Sequence, residues 1–288
     1  MRLQLVVNPT AGGGRASKLL PEVERALVAH DLLVTPTRSL EHADELTAAA
    51  VADGRVVVAM GGDGLVGRVA GAVAEHGGLM AVVPGGRGND FARMVGIPKD
   101  VAGACAVIAD GVETAVDLGD VDGHVFVGIA SVGFDSEVQE RVLRTRVPLG
   151  QLVYLYGALA TVFSWKHARF TVTTDGATES YSGWAAAVAN SGYYGGGMRV
   201  APSASVTDGL LDVVTTTATS RRHFLSTLPK VFKGTHVDDP CVDMRTATTV
   251  EISADRAFRV FADGDPIGSL PCTITIRPGA LRLILPHT

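Results

Sequence analysis

The sequence is poor in the residues that build disulfide scaffolds, zinc centres and membrane spans. Its three cysteines, Cys105, Cys241 and Cys272, stand far apart with no C-x-x-C pair. That excludes a disulfide framework and fits a reducing compartment. The eight histidines are scattered, with none of the paired spacing a zinc site needs. No apolar run approaches the ~20 residues required to cross a bilayer. Met1-Arg2-Leu3-Gln4 leads straight into a short strand without a signal-peptide pattern, so a cytoplasmic protein is expected. Basic residues are also in deficit: 25 Lys and Arg against 30 Asp and Glu give a net charge of −5. A nucleic-acid binder needs a dense basic face, so that class is set aside. A Walker A loop is missing as well.

What is present is ample apolar material, 47% of 288 residues, enough for two modest domains or one large one. Glycine is in excess at 34 residues, which points to backbone that turns tightly or approaches a ligand. Through the first ~118 residues strand and helix patterns alternate. Leu3–Val7, Leu32–Val34, Arg55–Met60 and Leu79–Val83 read as strands. Between them, Leu19 to Leu27, Glu41 to Ala52, Leu65 to Ala74 and Asn89 to Val95 have helical spacing. This βαβα rhythm predicts a parallel sheet with helices on both faces. Beyond Asp117 the pattern becomes short strands, such as His124–Ile129, Phe170–Thr174, Trp184–Ala189 and Leu210–Thr215, with helical stretches near Ser136–Thr145, Tyr154–Trp165 and Arg221–Lys233. The expectation is an α/β domain over 1–118 followed by a mainly antiparallel β domain over 119–279.

Three glycine-rich loops follow three strands of the first half. They are Asn8-Pro9-Thr10-Ala11-Gly12-Gly13-Gly14, Gly61-Gly62-Asp63-Gly64, and Pro84-Gly85-Gly86-Arg87-Gly88-Asn89-Asp90. In a parallel sheet the strand ends point one way, so the loops converge where open α/β sheets bind ligands. Glycine lets backbone N–H groups close on an anion, and the next helix start adds positive partial charge. Plain βα turns are the alternative. Gly62-Asp63-Gly64-Leu65-Val66-Gly67 also matches G-x-G-x-x-G, but no acid ends the following strand to hold a ribose, which argues against a dinucleotide site.

The order of these loops, with Gly88-Asn89-Asp90-Phe91-Ala92-Arg93, resembles the diacylglycerol kinase catalytic-domain family, which includes bacterial lipid kinases and sphingosine kinases. The likeness continues through Gly133-Phe134-Asp135, Asn190–Gly197, Ala201–Asp212 and Asp263-Gly264-Asp265-Pro266. It implies an NAD-kinase-like or phosphofructokinase-like first domain, a C-terminal β-sandwich, and catalysis in the cleft between them. The last strand, within 280–288, is expected to return to the first domain. The resemblance assigns ATP to Asn8, Pro9, Thr10, Ala11 and Gly12, to Thr37 in a T-x5-A segment, to Gly61, Gly62, Asp63, Gly64, Leu65, Val66 and Gly67, and to the Arg87 position. It assigns a structural Mg²⁺ to Ser205, Asp208 and Leu210, the first and last through backbone oxygen. The general base of a D-G-E motif falls on Asp265, with Asp263 two residues before and Asp63 as a further catalytic candidate. Asp263-Gly264 and Asp208-Gly209 also read as simple turns.

The implied activity is transfer of the ATP γ-phosphate to the hydroxyl of a lipid alcohol, such as diacylglycerol or a sphingoid base. A catalytically silent homologue and an NAD-kinase-type enzyme are the alternatives. Several positions depart from the usual pattern: Leu65 and Arg87 for threonine, Gly67 for asparagine, and Asp265 for glutamate. Arg87 would either neutralise phosphate charge or obstruct the nucleotide. The shorter Asp265 draws the carboxylate back by ~1.5 Å. An apolar stretch containing Val147, Leu149, Leu152, Val153, Tyr154, Leu155, Tyr156 and Phe163 is flanked by Arg144, Arg146, Lys166 and Arg169. It suits either a helix packed on the sandwich or an interfacial helix at a lipid surface. The partners expected are therefore a lipid substrate met by peripheral contact with a membrane and, as an open option, a second copy in a homodimer.

Overall fold

The computed structural model describes residues 1–145 and 152–287. Arg146, Val147 and Leu149 of the apolar stretch lie outside the described residues, as do the side chains of Leu152, Tyr154 and Leu155. The chain begins β1 (Arg2–Val7), α1 (Ala11–Ala26), β2 (Asp31–Pro36), α2 (Leu40–Ala52), β3 (Val56–Gly61), α3 (Asp63–His76), β4 (Leu79–Pro84), α4 (Asp90–Met94) and α5 (Val101–Asp110). The strands lie side by side as β2-β1-β3-β4, all parallel.

The continuous apolar run of β3 is explained by its neighbours. Val57 and Ala59 pack with Ala43 of α2 and Val69 of α3, whereas Val58 and Met60 pack with Val23 of α1 and Ile108 of α5. Each fully buried Val or Met contributes ~1.5–3 kcal/mol, so a strand with a core on both faces needs no polar alternation. Gly12, Gly13 and Gly14 hold φ of 63°, 73° and 88°, so regular helix in α1 starts only after them.

The second half continues β5 (Val112–Val121), β6 (His124–Phe126), β7 (Ile129–Gly133), α6 (Phe134–Arg144), α7 (Leu152–Ser164), β8 (Ala168–Thr174), β9 (Ala177–Ala189), β10 (Tyr193–Tyr194), β11 (Met198–Arg199) and β12 (Leu211–Thr217). After α8 (Arg221–Val231) come β13 (Val242–Ala247), β14 (Thr249–Ala254), β15 (Arg259–Ala262), β16 (Asp265–Ser269) and β17 (Cys272–Leu285). These strands pair antiparallel around a core rich in aromatics, in which Trp184 stacks on Phe224 with ring centroids 3.9 Å apart. The fold is thus an α/β domain with a parallel sheet joined to a β-sandwich-like domain. The three cysteines are buried and free.

Two features were not read in the sequence. The segment His124–Ile129 is two strands rather than one, because Val127 and Gly128 leave the ladder and turn their N–H groups to Asp263. The pattern change near residue 118 falls inside β5, not in a linker. β5 and β17 pair antiparallel from Val121↔Ile274 to Val112↔Leu285, with a shift between Arg277 and Leu281. The far end of β17 also pairs parallel with β4 at Arg282↔Leu79. One two-stranded ribbon therefore runs through both halves of the molecule.

Candidate active site

Parallel pairing brings the carboxyl ends of β1, β3 and β4 to one edge of the sheet. The turns leaving them are bonded to one another. The Asn8 N–H donates to Met60 O at 3.0 Å, and the Gly85 N–H donates to Gly61 O at 2.8 Å. Gly62 and Gly86 pass so closely that a Cβ on Gly86 would run into the Gly62 Cα. A Cβ on Gly12 would lie 2.8 Å from Gly85 O. Side chains are excluded here, and main chain is what remains.

The first turn is organised by its own residues. Asn8 Oδ1 accepts from the Thr10 N–H at 3.1 Å and from its hydroxyl at 2.8 Å, while Ser17 Oγ donates to Pro9 O at 2.8 Å. Ala11 donates its N–H back to Asn8 O. Thr37 stands beside them, its N–H donating to Val7 O at 2.7 Å. In the second turn, Gly62 caps α3 without a side chain, and Asp63, Gly64 and Leu65 form the first helical turn. Helix N–H groups there have no partner within the helix and carry positive partial charge. Leu65 and Val66 are buried in the core, and the Val66 N–H donates to Gly62 O. Of this stretch, only Asp63 offers a polar side chain. Arg87, exposed on the third turn, reaches across so that its Nη2 lies 3.1 Å from where a Cβ on Gly13 would be. It makes no ion pair among the described residues.

Carboxylates stand opposite. Asp63 Oδ1 accepts from the Phe91 N–H at 3.1 Å, and burial together with the nearby Asp90 charge raises its pKa. Asp265 projects from the start of β16, with Oδ2 3.6 Å from where a Cβ on Gly64 would be. Burial raises its pKa also, and Arg68 opposes the rise. Its carboxylate accepts no hydrogen bond among the described residues, which leaves its oxygens available. Asp263 is placed differently. It sits in the hairpin turn at φ 51° and accepts from the Val127 N–H at 2.9 Å and the Gly128 N–H at 2.8 Å. Burial pushes this carboxyl up to about 7, the lowering by those amides notwithstanding. Both oxygens are thus committed to holding the start of β7. Gly67, one turn along α3 from Asp63, faces Asp263 and not the turns: a Cβ there would lie 2.8 Å from Asp263 Oδ2.

The three residues of the implied cation site lie together in the loop before β12. Asp208 Oδ1 accepts from the Leu210 N–H at 3.0 Å, and Ser205 Oγ accepts from the Thr207 N–H. A donor set made only of carboxylate and carbonyl oxygen suits a hard cation such as Mg²⁺. The neighbouring turn is anchored by Asp117, which accepts from the N–H groups of Gly209 and Gly279, both at 2.7 Å.

Sequence reasoning missed the residues that join the two halves at this cleft. Asp90 binds Arg93 through Oδ1 and accepts from the Gly196 N–H at 2.6 Å through Oδ2. Arg93 and Arg199 flank the Tyr193 ring at 5.5 and 5.8 Å. Asn89 clamps its own turn through Gly86 N and O, and buried Asn190 donates to both Asp117 O and Val127 O. The G-N-D and N-S-G segments were visible, but which chain each side chain would bond was not.

Comparison with known proteins identifies the family and the fold. The family described as "Diacylglycerol kinase catalytic domain" matches residues 2–121. "YegS C-terminal NAD kinase beta sandwich-like domain" matches residues 128–285. A curated "Diacylglycerol kinase" of Mycobacterium tuberculosis is 33% identical over 296 residues, covering 99% of this chain and 96% of that protein. A "Probable lipid kinase YegS-like" protein of Pseudomonas aeruginosa is 34% identical over 236 residues, covering 80% of this chain and 76% of that one. A solved diacylglycerol kinase from Bacillus anthracis shares the fold with a TM-score of 0.78 at 22% identity, over 99% of this chain and 96% of that chain.

Proposed function

This chain belongs to the diacylglycerol kinase catalytic-domain family and is a lipid kinase, and we propose that it transfers the γ-phosphate of ATP to the hydroxyl of a lipid alcohol such as diacylglycerol or a sphingoid base. The observation that carries this reading is the contact of the Gly61–Gly62 and Gly85–Gly86 turns, with Asp63 at the start of α3 and the Asp265 carboxylate beside Gly64. Phosphoryl transfer needs positioning and charge neutralisation more than covalent chemistry. Backbone amides of the three turns, the start of α3 and the unpaired Arg87 supply positive potential for a triphosphate. Asp265, with free oxygens, accepts the hydroxyl proton of the lipid. Asp63 orients the phosphate end of the site, and Asp263 acts as a positioning residue by fixing Val127 and Gly128.

Mg²⁺, when bound, supplies neutralisation of phosphate charge. Ser205 and Leu210, through main-chain oxygen, and Asp208, through its carboxylate, are the residues that would hold a structural ion. We place the enzyme at a membrane surface by peripheral contact. Tyr156, Leu159 and Phe163 of α7 are exposed at helical spacing, and no helix of the described residues is long and apolar enough to cross a bilayer.

The test is an assay with γ-labelled ATP over diacylglycerol, sphingoid bases, NAD and no acceptor. Label in a lipid product supports the proposal. Label in NAD, or nucleotide binding without turnover on any lipid, overturns it.

A further inference from the structure

Outside the cleft, the fold gathers three side chains that the chain order keeps apart. His223 stands at the third position of α8, whereas Asp239 and Cys241 lie on the approach to β13, after a 3-10 turn over Thr235–Asp238. Sixteen residues separate His223 from Asp239, so no local spacing in the sequence marks the group. An imidazole nitrogen, a carboxylate oxygen and the Cys241 Sγ all lie within 4.8 Å of one another. Among the described residues, no other three His, Cys, Asp or Glu side chains are drawn so close.

The carboxylate at the centre is already oriented. His223 Nε2 lies 2.8 Å from Asp239 Oδ1, and the Cys241 N–H donates to the same oxygen at 3.3 Å. Thr227 Oγ1 donates to Oδ2 at 3.2 Å, and Lys230 Nζ does so at 3.3 Å. Outer donors of this kind hold a ligating carboxylate in place. The Asp239 side chain is 2% exposed and that of His223 43%, so a buried anion meets an imidazole that solvent can reach. In a tetrahedral zinc site, bonds of ~2.0–2.3 Å put neighbouring ligand atoms about 3.4–3.6 Å apart. The His223–Asp239 pair opens by about 0.6 Å to meet that geometry, and the other separations close by about 1.2 Å at most. The Lys230 ammonium, half-exposed on a flexible stem, keeps to Oδ2 or turns to water.

The donor set selects the ion. Imidazole, carboxylate and thiolate together suit Zn²⁺, whereas Mg²⁺ prefers oxygen alone. Burial, with the Asp239 carboxylate beside it, keeps the Cys241 thiol protonated at neutral pH. Coordination releases that proton to solvent, and the dication then balances one thiolate and one carboxylate. We propose that His223, Asp239 and Cys241 form a Zn²⁺ site, with water in the fourth position, that fastens α8 to the start of β13. The site stands apart from the glycine turns and does not depend on the lipid-kinase reading.

The full chain, reduced and dialysed against a chelator, is titrated with Co²⁺, Zn²⁺ and Mg²⁺. Equimolar Co²⁺ should produce a near-ultraviolet thiolate-to-cobalt absorption band together with the visible bands of a tetrahedral ion. Zn²⁺ should abolish both, and excess Mg²⁺ neither. Cys241→Ser should lose the thiolate band, whereas Cys105→Ser/Cys272→Ser, which alters the other two buried cysteines, should keep it. His223→Gln, at a half-exposed position, should bind Co²⁺ at least tenfold more weakly. An ion that binds only the native state stabilises it, so Zn²⁺ should raise the thermal midpoint of the wild type and leave that of His223→Gln in place. Cooperative melting of His223→Gln without metal shows that its loss of binding is not loss of fold. Visible bands without a thiolate band in the wild type, the mark of an adventitious surface ion only, would overturn the site. A thiolate band that survives Cys241→Ser, or equal Zn²⁺ stabilisation of His223→Gln, would overturn it as well.

Discussion

At the scale of single residues, the acids of the cleft differ in what their oxygens are doing. Asp265 accepts no hydrogen bond among the described residues, whereas Asp263 holds two amides of another segment. Asp265→Asn should therefore slow phosphate transfer by at least ~10²-fold, the usual contribution of a general base. Its thermal midpoint should stay near that of the wild type, checked by label transfer and a thermal scan on one preparation. Asp263 should instead appear in stability. Its folded value of about 7 lies above the ~3.9 of an unfolded aspartate. The stabilising contribution of its protonated form is complete below about pH 4 and lost as pH rises through about 7. Calorimetry from pH 5 to 8 should show the wild-type midpoint falling relative to that of Asp263→Asn, which cannot ionise. Gly67→Asn, the residue usual at this position in the resembling family, would push a side chain against Asp263 Oδ2, 2.8 Å from the Cβ position. We expect it to cost ~1–3 kcal/mol as overpacking, measured by denaturant unfolding.

At the scale of elements, the strands and helices of the first half follow from periodicity because each buries whole faces. β3 could be read from Arg55 to Met60 since no polar residue interrupts it, and the structure shifts it by one residue, to Val56–Gly61. The convergence of the glycine turns likewise follows from parallel topology alone. What sequence did not reveal were contacts between distant segments: the break at Val127–Gly128 answers to a turn 135 residues later, and no local pattern encodes it. The same holds for the β10–β11 hairpin, fastened to α4 by Asp90 and by the Arg93–Tyr193–Arg199 stack. Removing a buried charged acceptor costs ~1–3 kcal/mol. Asp90→Ala should accordingly make the 193–199 hairpin more sensitive to limited proteolysis, with β1–β4 unchanged.

At the scale of the whole molecule, the two halves are not beads on a flexible string. The β5–β17 ribbon passes through both, and the end of β17 returns to β4 beside the sheet that carries the turns. Such continuity ties the strands that carry Asp263 and Asp265 into the sheet that carries Gly61–Gly64. Against an overall charge of −5, the cation of Arg87 is set where the proposed triphosphate would lie.

The central claim is that amides from three separate turns serve one triphosphate. Hydrogen exchange with and without Mg-ATP tests it most directly. Residues 8–14, 61–67 and 85–88 should gain protection together, at one nucleotide concentration and to a similar degree. Protection confined to a single turn, or appearing at unrelated concentrations in different turns, would contradict the account.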